Sequence, residues 1–339
     1  MHALWGSDCI IDSTNLAERF WESLPADELQ TPYTWETQLS ELGQMHFQSK
    51  EEKDTALKTL WEELIDSGKL GYMALLRNLR NILQTQVSTA HIEKVTSIIA
   101  DPVKVAKSKQ LPFRFLAAYK ELMNVTSVHT AAVLTALEKA VKESVANLEG
   151  FRADTGVLVA ADVSGSMFTT ISPKSSVMNY DIGILLSMLL KSKCSSVVSG
   201  MFGDTWKVLN LPQENILANT IEMKRREGEV GYSTNGYAVI DYLIENNIKM
   251  DKVMMFTDMQ MWDSTYRDKH IQKSWTKYTQ MYPEAKLYLF DLHGYGQAPV
   301  RLVGDDVVLI AGWSDKIFDV LAAVENGDDV LSQIQIMEV

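Results

Sequence analysis

Along residues 10–149 apolar side chains recur at three- and four-residue spacing, the period of helices with one buried face. From 151 to 339 they gather into short runs parted by amphipathic stretches, the alternation of a parallel sheet with crossover helices. The change falls near Gly150, so the chain reads as two domains, 1–149 and 150–339. In the first, Trp61 to Ile65 and Gly71 to Ile82 form helix faces, with Gly68 and Gly71 marking the turn between them. Ile92 to Ile99 gives another face, and Pro102 and Pro112 mark later starts or breaks. Helix pairs of this length suggest an α-solenoid, although no clear sequence repeat is present. In the second domain, strands are predicted near 155–162, 195–202, 205–211, 252–257, 285–291 and 306–310. Helices near 179–193, 214–223, 236–246, 264–281 and 315–325 separate most of them. The expected fold class is therefore α-helical repeats followed by a doubly wound, Rossmann-like α/β domain with helices on both faces.

Two of these strands end in carboxylates. The run Val157-Leu-Val-Ala-Ala stops at Asp162, and Ser164 and Ser166 follow at alternate positions. A hard carboxylate with two neutral hydroxyl oxygens suits Mg²⁺ or another oxygen-preferring cation such as Mn²⁺ or Ca²⁺. Asp251 to Thr257 is a second apolar run that ends at Asp258, and a glycine-flanked turn, Gly231 to Gly236, leads into a helix. Loops at the carboxyl ends of parallel strands converge on one crevice. Asp162, Ser164, Ser166, Thr234 and Asp258 can thus share a metal site, with Ser233 the alternative to Thr234.

Composition and charge narrow the function classes. At 339 residues the chain is long enough for two domains, and no apolar run approaches the ~18 residues that span a bilayer. The opening residues, Met-His-Ala-Leu-Trp-Gly-Ser-Asp, lack the basic and apolar regions of a signal peptide. The two cysteines, Cys9 and Cys194, lie one in each half, which argues against a disulfide framework and for a reducing cytoplasm. The net charge of −12 excludes indiscriminate nucleic-acid binding. Yet Lys69 to Lys120 holds nine basic residues against Glu93 and Asp101 alone. A local positive surface on an acidic chain is the footprint of a confined phosphate-binding groove. The alternative is a solvated face balanced by the acidic run from Glu51 to Asp66.

The Asp-x-Ser-x-Ser arrangement with Thr234 and Asp258 resembles the metal-ion-dependent adhesion site (MIDAS) of von Willebrand factor A domains. That resemblance implies that Ser164, Ser166 and Thr234 face the metal, that Asp162 and Asp258 contact it directly or through water, and that a partner's carboxylate fills the remaining position. Upstream, Trp35-Glu36, Leu60-Trp-Glu62, Met73-Ala-Leu-Leu-Arg-Asn-Leu-Arg80 and Leu111-Pro-Phe-Arg-Phe-Leu-Ala-Ala-Tyr119 are similar to the TROVE module of Ro ribonucleoproteins. Their order, followed directly by the A-type domain, is more specific than either block, and the two resemblances together cover most of the chain.

Several expectations follow from the resemblance. HEAT-like helices would close into a ring with the A domain, take single-stranded RNA ends in a basic hole and bind small noncoding Y-type RNAs on the outside. Bacterial members pass structured RNA to a 3′ exonuclease. Arg77, Arg80, Lys104, Lys107, Lys109 and Arg114 become the candidate phosphate contacts, with His91 and His129 as candidates for base contacts. The family's helical region is usually longer, and this chain reads as beginning partway through it, Leu16 to Trp35 being a remnant or a replacement. That leaves a closed ring, an open crescent and a ring of paired chains as alternatives. The runner-up reading is a cation-dependent protein adaptor that binds no RNA. A metal-dependent phosphodiesterase ranks last: no G-x-x-x-x-G-K-[ST], G-x-S-x-G or H-E-x-x-H motif occurs, and no general base accompanies Asp162 and Asp258. No catalytic residue is expected. Trp262 is placed at the rim of the cation site, Asp263 at a helix N-cap, and Trp206, Trp275 and Trp313 in packing roles.

Overall fold

The computed structural model describes residues 33–146, 151, 154–173, 175–259, 270–294, 306–312 and 321. Two compact units divide the chain, Met1–Leu70 and Gly71–Val339. The first holds α1 (Trp35–Gln44) and α2 (Lys50–Asp66). Thr34 caps α1 through a reciprocal pair with Thr37, Ser49 caps α2 through the Glu52 amide, and Gly68 takes the left-handed conformation (φ 66°) just past the end of α2.

The second unit begins with five helices: α3 (Tyr72–Gln84), α4 (Thr89–Ile99), α5 (Pro102–Ser108), α6 (Pro112–Leu122) and α7 (Thr130–Ser144). Both prolines stand at the first turn of a helix, where a missing N–H and a fixed φ cost nothing. Asp101 caps α5 by accepting from the Val103 and Lys104 amides at 2.9 and 3.0 Å. The apolar stripes close on one another: Leu75, Leu79 and Ile82 of α3, Val95 and Ile99 of α4, Phe115, Leu116 and Leu122 of α6, and Val133, Leu137 and Ala140 of α7 are all buried. Each such Leu, Ile or Phe contributes about 1.5–3 kcal/mol by leaving water. Tyr72 ties α3 to the end of α4 by donating to the Ile99 carbonyl at 2.8 Å.

Among the described residues a six-stranded sheet follows, ordered β3-β2-β1-β4-β5-β6. Its strands are β1 (Gly156–Asp162), β2 (Ser196–Phe202), β3 (Trp206–Val208), β4 (Lys252–Thr257), β5 (Lys286–Asp291) and β6 (Val307–Ala311), with α8 (Asn179–Lys193), α9 (Ile216–Arg225), α10 (Tyr237–Glu245) and α11 (Ile271–Met281) between them. The helical region followed by this doubly wound domain is the fold class expected from the sequence. The sheet is mixed rather than wholly parallel, because β3 runs antiparallel to β2. Only Gly203, Asp204 and Thr205 separate these two strands, enough for a hairpin and far short of a parallel crossover. Leu158 and Ala160 of β1 join the core formed with Val239, Leu243, Trp275 and Tyr278 of α10 and α11. On the other face α8 packs so closely that a methyl group at Gly183 would lie 3.4 Å from Phe256 Cβ. Trp275 is buried as expected and donates to Asp306 at 2.9 Å, and Trp206 is half-buried; Trp262, Asp263, Trp313, Cys9 and the stretch before Tyr33 lie outside the described residues.

The helices grip the α/β layer through two charged side chains. Lys120 of α6 reaches the fully buried Asp181 at 2.7 Å and the Ser176 carbonyl at 2.8 Å. Glu138 of α7 accepts from the Leu217 and Ala218 amides at 3.1 and 2.7 Å, capping α9 from another helix. Burial pushes the Glu138 carboxyl above its ordinary pKa despite these bonds. Glu138→Ala is therefore expected to destabilise the unit by about 1–2 kcal/mol, while Glu138→Gln, which keeps an acceptor, loses less. Urea unfolding of the three proteins checks this; equal midpoints for Ala and wild type would remove Glu138 from the cap.

Candidate cation site and basic cleft

In the strand order 3-2-1-4-5-6 the chain reverses its direction of winding between β1 and β4, and the crevice at such a switch point is where α/β sheets bind ligands. Asp162 ends β1 and Asp258 directly follows β4, both fully buried. Asp162 accepts from the Ser164 amide at 2.8 Å and from the Thr257 hydroxyl at 2.6 Å. Burial pushes its carboxyl up to about 7 against the pull of those hydrogen bonds, and the charge of Asp258 adds to the rise. Ser164 Oγ and Ser166 Oγ stand 3.2 Å apart.

Thr234 comes from farther away in the sequence. Its loop is tied to the serine loop by the Gly165 amide, which donates to the Tyr232 carbonyl at 3.0 Å. Asp204, exposed on the β2–β3 hairpin, accepts from the Ser233 amide at 2.7 Å and from the Ser233 hydroxyl, which together hold its carboxyl below the usual range. Ser233 is thus engaged with Asp204, which favours Thr234 over its neighbour as the oxygen donor. The structure brings Asp162, Ser164 and Ser166 together by direct contact, sets Asp258 beside them through strand pairing, and holds Thr234 on an adjoining loop. Among the described residues no three His, Cys, Asp or Glu side chains converge, so the donor set here is two carboxylates with hydroxyls. Two carboxylates with neighbouring hydroxyls are the donor type that hard cations take, and burial drives one of the two, Asp162, toward its neutral form.

Sequence reasoning passed over Thr257, Asp204 and Asp291. Asp291 ends β5 opposite Thr257 and accepts from the His293 and Gly294 amides at 3.1 and 2.8 Å. The signal for it was present, a third apolar run ending in Asp. Met259, after Asp258, is held in the left-handed region (φ 63°), a strained conformation for a side chain of its size. Asp204→Ala is expected to weaken divalent-cation binding several-fold with little change in melting temperature, because it frees the Thr234 loop and leaves the core untouched. Calorimetric titration with MgCl₂ tests it, and an unchanged affinity would end the positioning role.

The basic residues separate into two groups. Arg77 and Arg80 of α3 and Arg114 of α6 line one cleft of about 800 Å³, beside Gln110, with Met73, Leu76, Phe113 and Ala117 as apolar wall. Ser172, Ser175 and Ser176, from the loop after β1, close its other side. Arg114 stacks its guanidinium over the Phe113 ring, 5.0 Å from the centroid. Arg80 pairs with Glu121 at 2.9 Å, a half-exposed bridge and hence a weak one. Lys104, Lys107 and Lys109 lie on or just beyond α5 and are not part of this wall, with Lys109 closing the helix at φ 50°. His129 precedes α7, its Nε2 3.5 Å from the Thr89 hydroxyl at the start of α4, and His91 Nδ1 lies 2.7 Å from Ser88 Oγ. His129 stands at the N-cap position of α7 without a side-chain cap bond there.

A run of helices leading into a doubly wound α/β domain is the architecture of the Ro fold. The Ro protein (RSR) of Deinococcus radiodurans superposes with a TM-score of 0.54 at 18% identity, over 81% of this chain and 60% of that one. Residues 26–149 match the TROVE domain family model. Over that stretch the chain is similar to TROVE-domain proteins. Telomerase protein component 1 of Rattus norvegicus is 42% identical over 105 residues, and that of Mus musculus 41% over 105. The match takes in 30% of this chain and 4% of the length of either relative.

Proposed function

We propose that this chain is an RNA-binding, Ro-like protein that holds RNA on the basic face of its TROVE domain and uses a divalent-cation site in an A-type domain, starting near Gly150, to contact a partner. The observation that carries the first part is the convergence of Arg77, Arg80 and Arg114 on one cleft of an otherwise acidic chain, inside a TROVE domain. Guanidinium groups suit phosphate, and the Arg114–Phe113 stack and Met73 offer faces for an unstacked base, the recognition mode of single-stranded RNA. A small structured RNA with a single-stranded end is the ligand this cleft fits. Lys104, Lys107 and Lys109 would add phosphate contacts on a separate surface.

Asp162, Ser164, Ser166, Thr234 and Asp258 would hold the cation, Mg²⁺ first. When bound, the cation supplies a coordination position to an oxygen ligand, such as the carboxylate of a protein partner; a 3′ exonuclease is one such partner. The reading is of a binding protein without catalysis, resident in the cytoplasm; no described helix is long and apolar enough to cross a membrane. A gel-shift titration against a structured RNA with a single-stranded 3′ tail tests the proposal. Salt-sensitive binding supports it, and no binding by folded protein moves the reading to a cation-dependent adaptor.

A further inference from the structure

One loop between β1 and α8, described over residues 163–173 and 175–178, belongs to both sites. Its base carries Ser164 and Ser166, and its tip carries Ser172, Ser175 and Ser176 in the wall of the arginine cleft. Between base and tip the loop doubles back on itself as a hydrogen-bonded ribbon. The Asn179 amide donates to the Thr169 carbonyl at 2.9 Å, Thr170 bridges Met178, and the Ile171 amide donates to the Val177 carbonyl at 3.1 Å. The Thr169 hydroxyl is bonded on one side to the Asn179 side chain at 2.8 Å and on the other to the Ser166 carbonyl at 3.4 Å. At the tip, Lys120 of α6 holds the Ser176 carbonyl and the buried Asp181 together. Lys120 thus anchors the tip to the helix that carries Arg114, so the ribbon is a continuous connection from Ser166 to the cleft.

We infer that this loop links the two sites: a divalent cation at its base strengthens the hold of the arginine cleft on single-stranded RNA, and RNA strengthens the hold on the cation. The inference rests on the RNA and cation readings above. Its sign has two physical sources. Fixing Ser164 and Ser166 to a cation orders the base, so less conformational freedom remains to be lost when RNA orders the tip. Offsetting the negative charge of Asp162 and Asp258 also lowers the repulsion felt by an incoming phosphate backbone. Linkage through a shared element is reciprocal, and typical values correspond to a factor of about five or more.

The test uses the full chain and a labelled oligouridylate, which has no fold for a cation to alter. Its affinity is measured by anisotropy in MgCl₂ and in EDTA at matched ionic strength, and Mg²⁺ affinity is measured by calorimetry with and without the RNA. About a five-fold or greater tightening of each by the other, with equal factors, is expected. The ratio should fall to one in Asp162→Asn and in the double variant Lys120→Met with Asp181→Asn, which removes the tip anchor without leaving a lone buried charge. Circular dichroism and melting confirm that each variant is folded. Both ligands bound with unchanged affinities would overturn the linkage alone, as would a ratio that persists in Asp162→Asn. A ratio that survives the double variant would overturn the role of Lys120. Failure to bind oligouridylate, or failure to bind Mg²⁺, in the single-ligand titrations would overturn it together with the corresponding part of the proposed function.

Discussion

In the absence of divalent cations, Asp162→Asn is expected to be more stable than wild type above neutral pH, and to gain nothing when Mg²⁺ is added. Asp162 is completely buried, and burial is the main reason its carboxyl sits at about 7. In the unfolded chain it titrates near 3.9. Between about pH 4 and pH 7 the folded protein therefore holds a proton that the unfolded chain has lost, so wild-type stability falls as pH rises through that window and levels off above it. Asparagine has no proton to lose. It keeps an oxygen for the Ser164 amide and a partner for the Thr257 hydroxyl, so its stability stays flat through the window. The gap between the two should open over the same window to about 2–4 kcal/mol at pH 8. Cation closes most or all of that gap, because a ligand at a hundred times its Kd stabilises by about 2.7 kcal/mol and acts on wild type only. Thermal melts across pH in EDTA and in MgCl₂ decide it. A variant less stable than wild type at pH 8 in EDTA would overturn the raised Asp162 carboxyl, and one that gains as much from Mg²⁺ would remove Asp162 from the cation site.

Replacing Arg77, Arg80 and Arg114 together with glutamine should lower RNA affinity by roughly a hundredfold at moderate salt. Hydrogen bonds to charged groups contribute about 1.5–3 kcal/mol each when dry, and these arginines are exposed, so three of them together amount to less than the sum. The salt dependence carries the sharper signature. Each phosphate contact to a single strand contributes about 0.7 to the slope of log K against log salt, so losing three should flatten it by about 2. Glu121 supplies the opposite sign. It lies in the same cleft and neutralises Arg80, so Glu121→Gln should tighten RNA binding a few-fold. A triple variant whose affinity and slope match wild type would place the RNA elsewhere, with Lys104, Lys107 and Lys109 the next surface to test.

The local rules were read directly from the chain. Apolar runs of five or six residues bounded by Asp, Gly and charged residues became β1, β4 and β5 at almost the expected bounds, because a strand buried on both faces tolerates little else. Pro102 and Pro112 became helix starts because proline fixes φ and lacks the amide that the first turn does not need. The Asp-x-Ser-x-Ser spacing placed Asp162, Ser164 and Ser166 together, since the strand ends at Asp162 and a tight 3-10 turn over Gly165–Met167 keeps the two serines close. The antiparallel direction of β3 was set by a hairpin too short for a crossover, but its pairing partner is not local information.

What only the tertiary structure decided is which charges share a space. Arg77 and Arg114 are distant in sequence and meet because α3 packs on α6; Lys104, Lys107 and Lys109 lie between them and do not join them. Glu121, Ser172 and Ser176 carry no motif: Glu121 faces the cleft from α6 itself, and Ser172 and Ser176 reach it where Lys120 fastens the β1–α8 loop to α6. Periodicity and propensity act over a few residues, so sequence alone fixed the elements and the ends of the strands. Convergence of side chains depends on the packing of helices against a sheet, a sum over many distant contacts that no short stretch of the chain encodes.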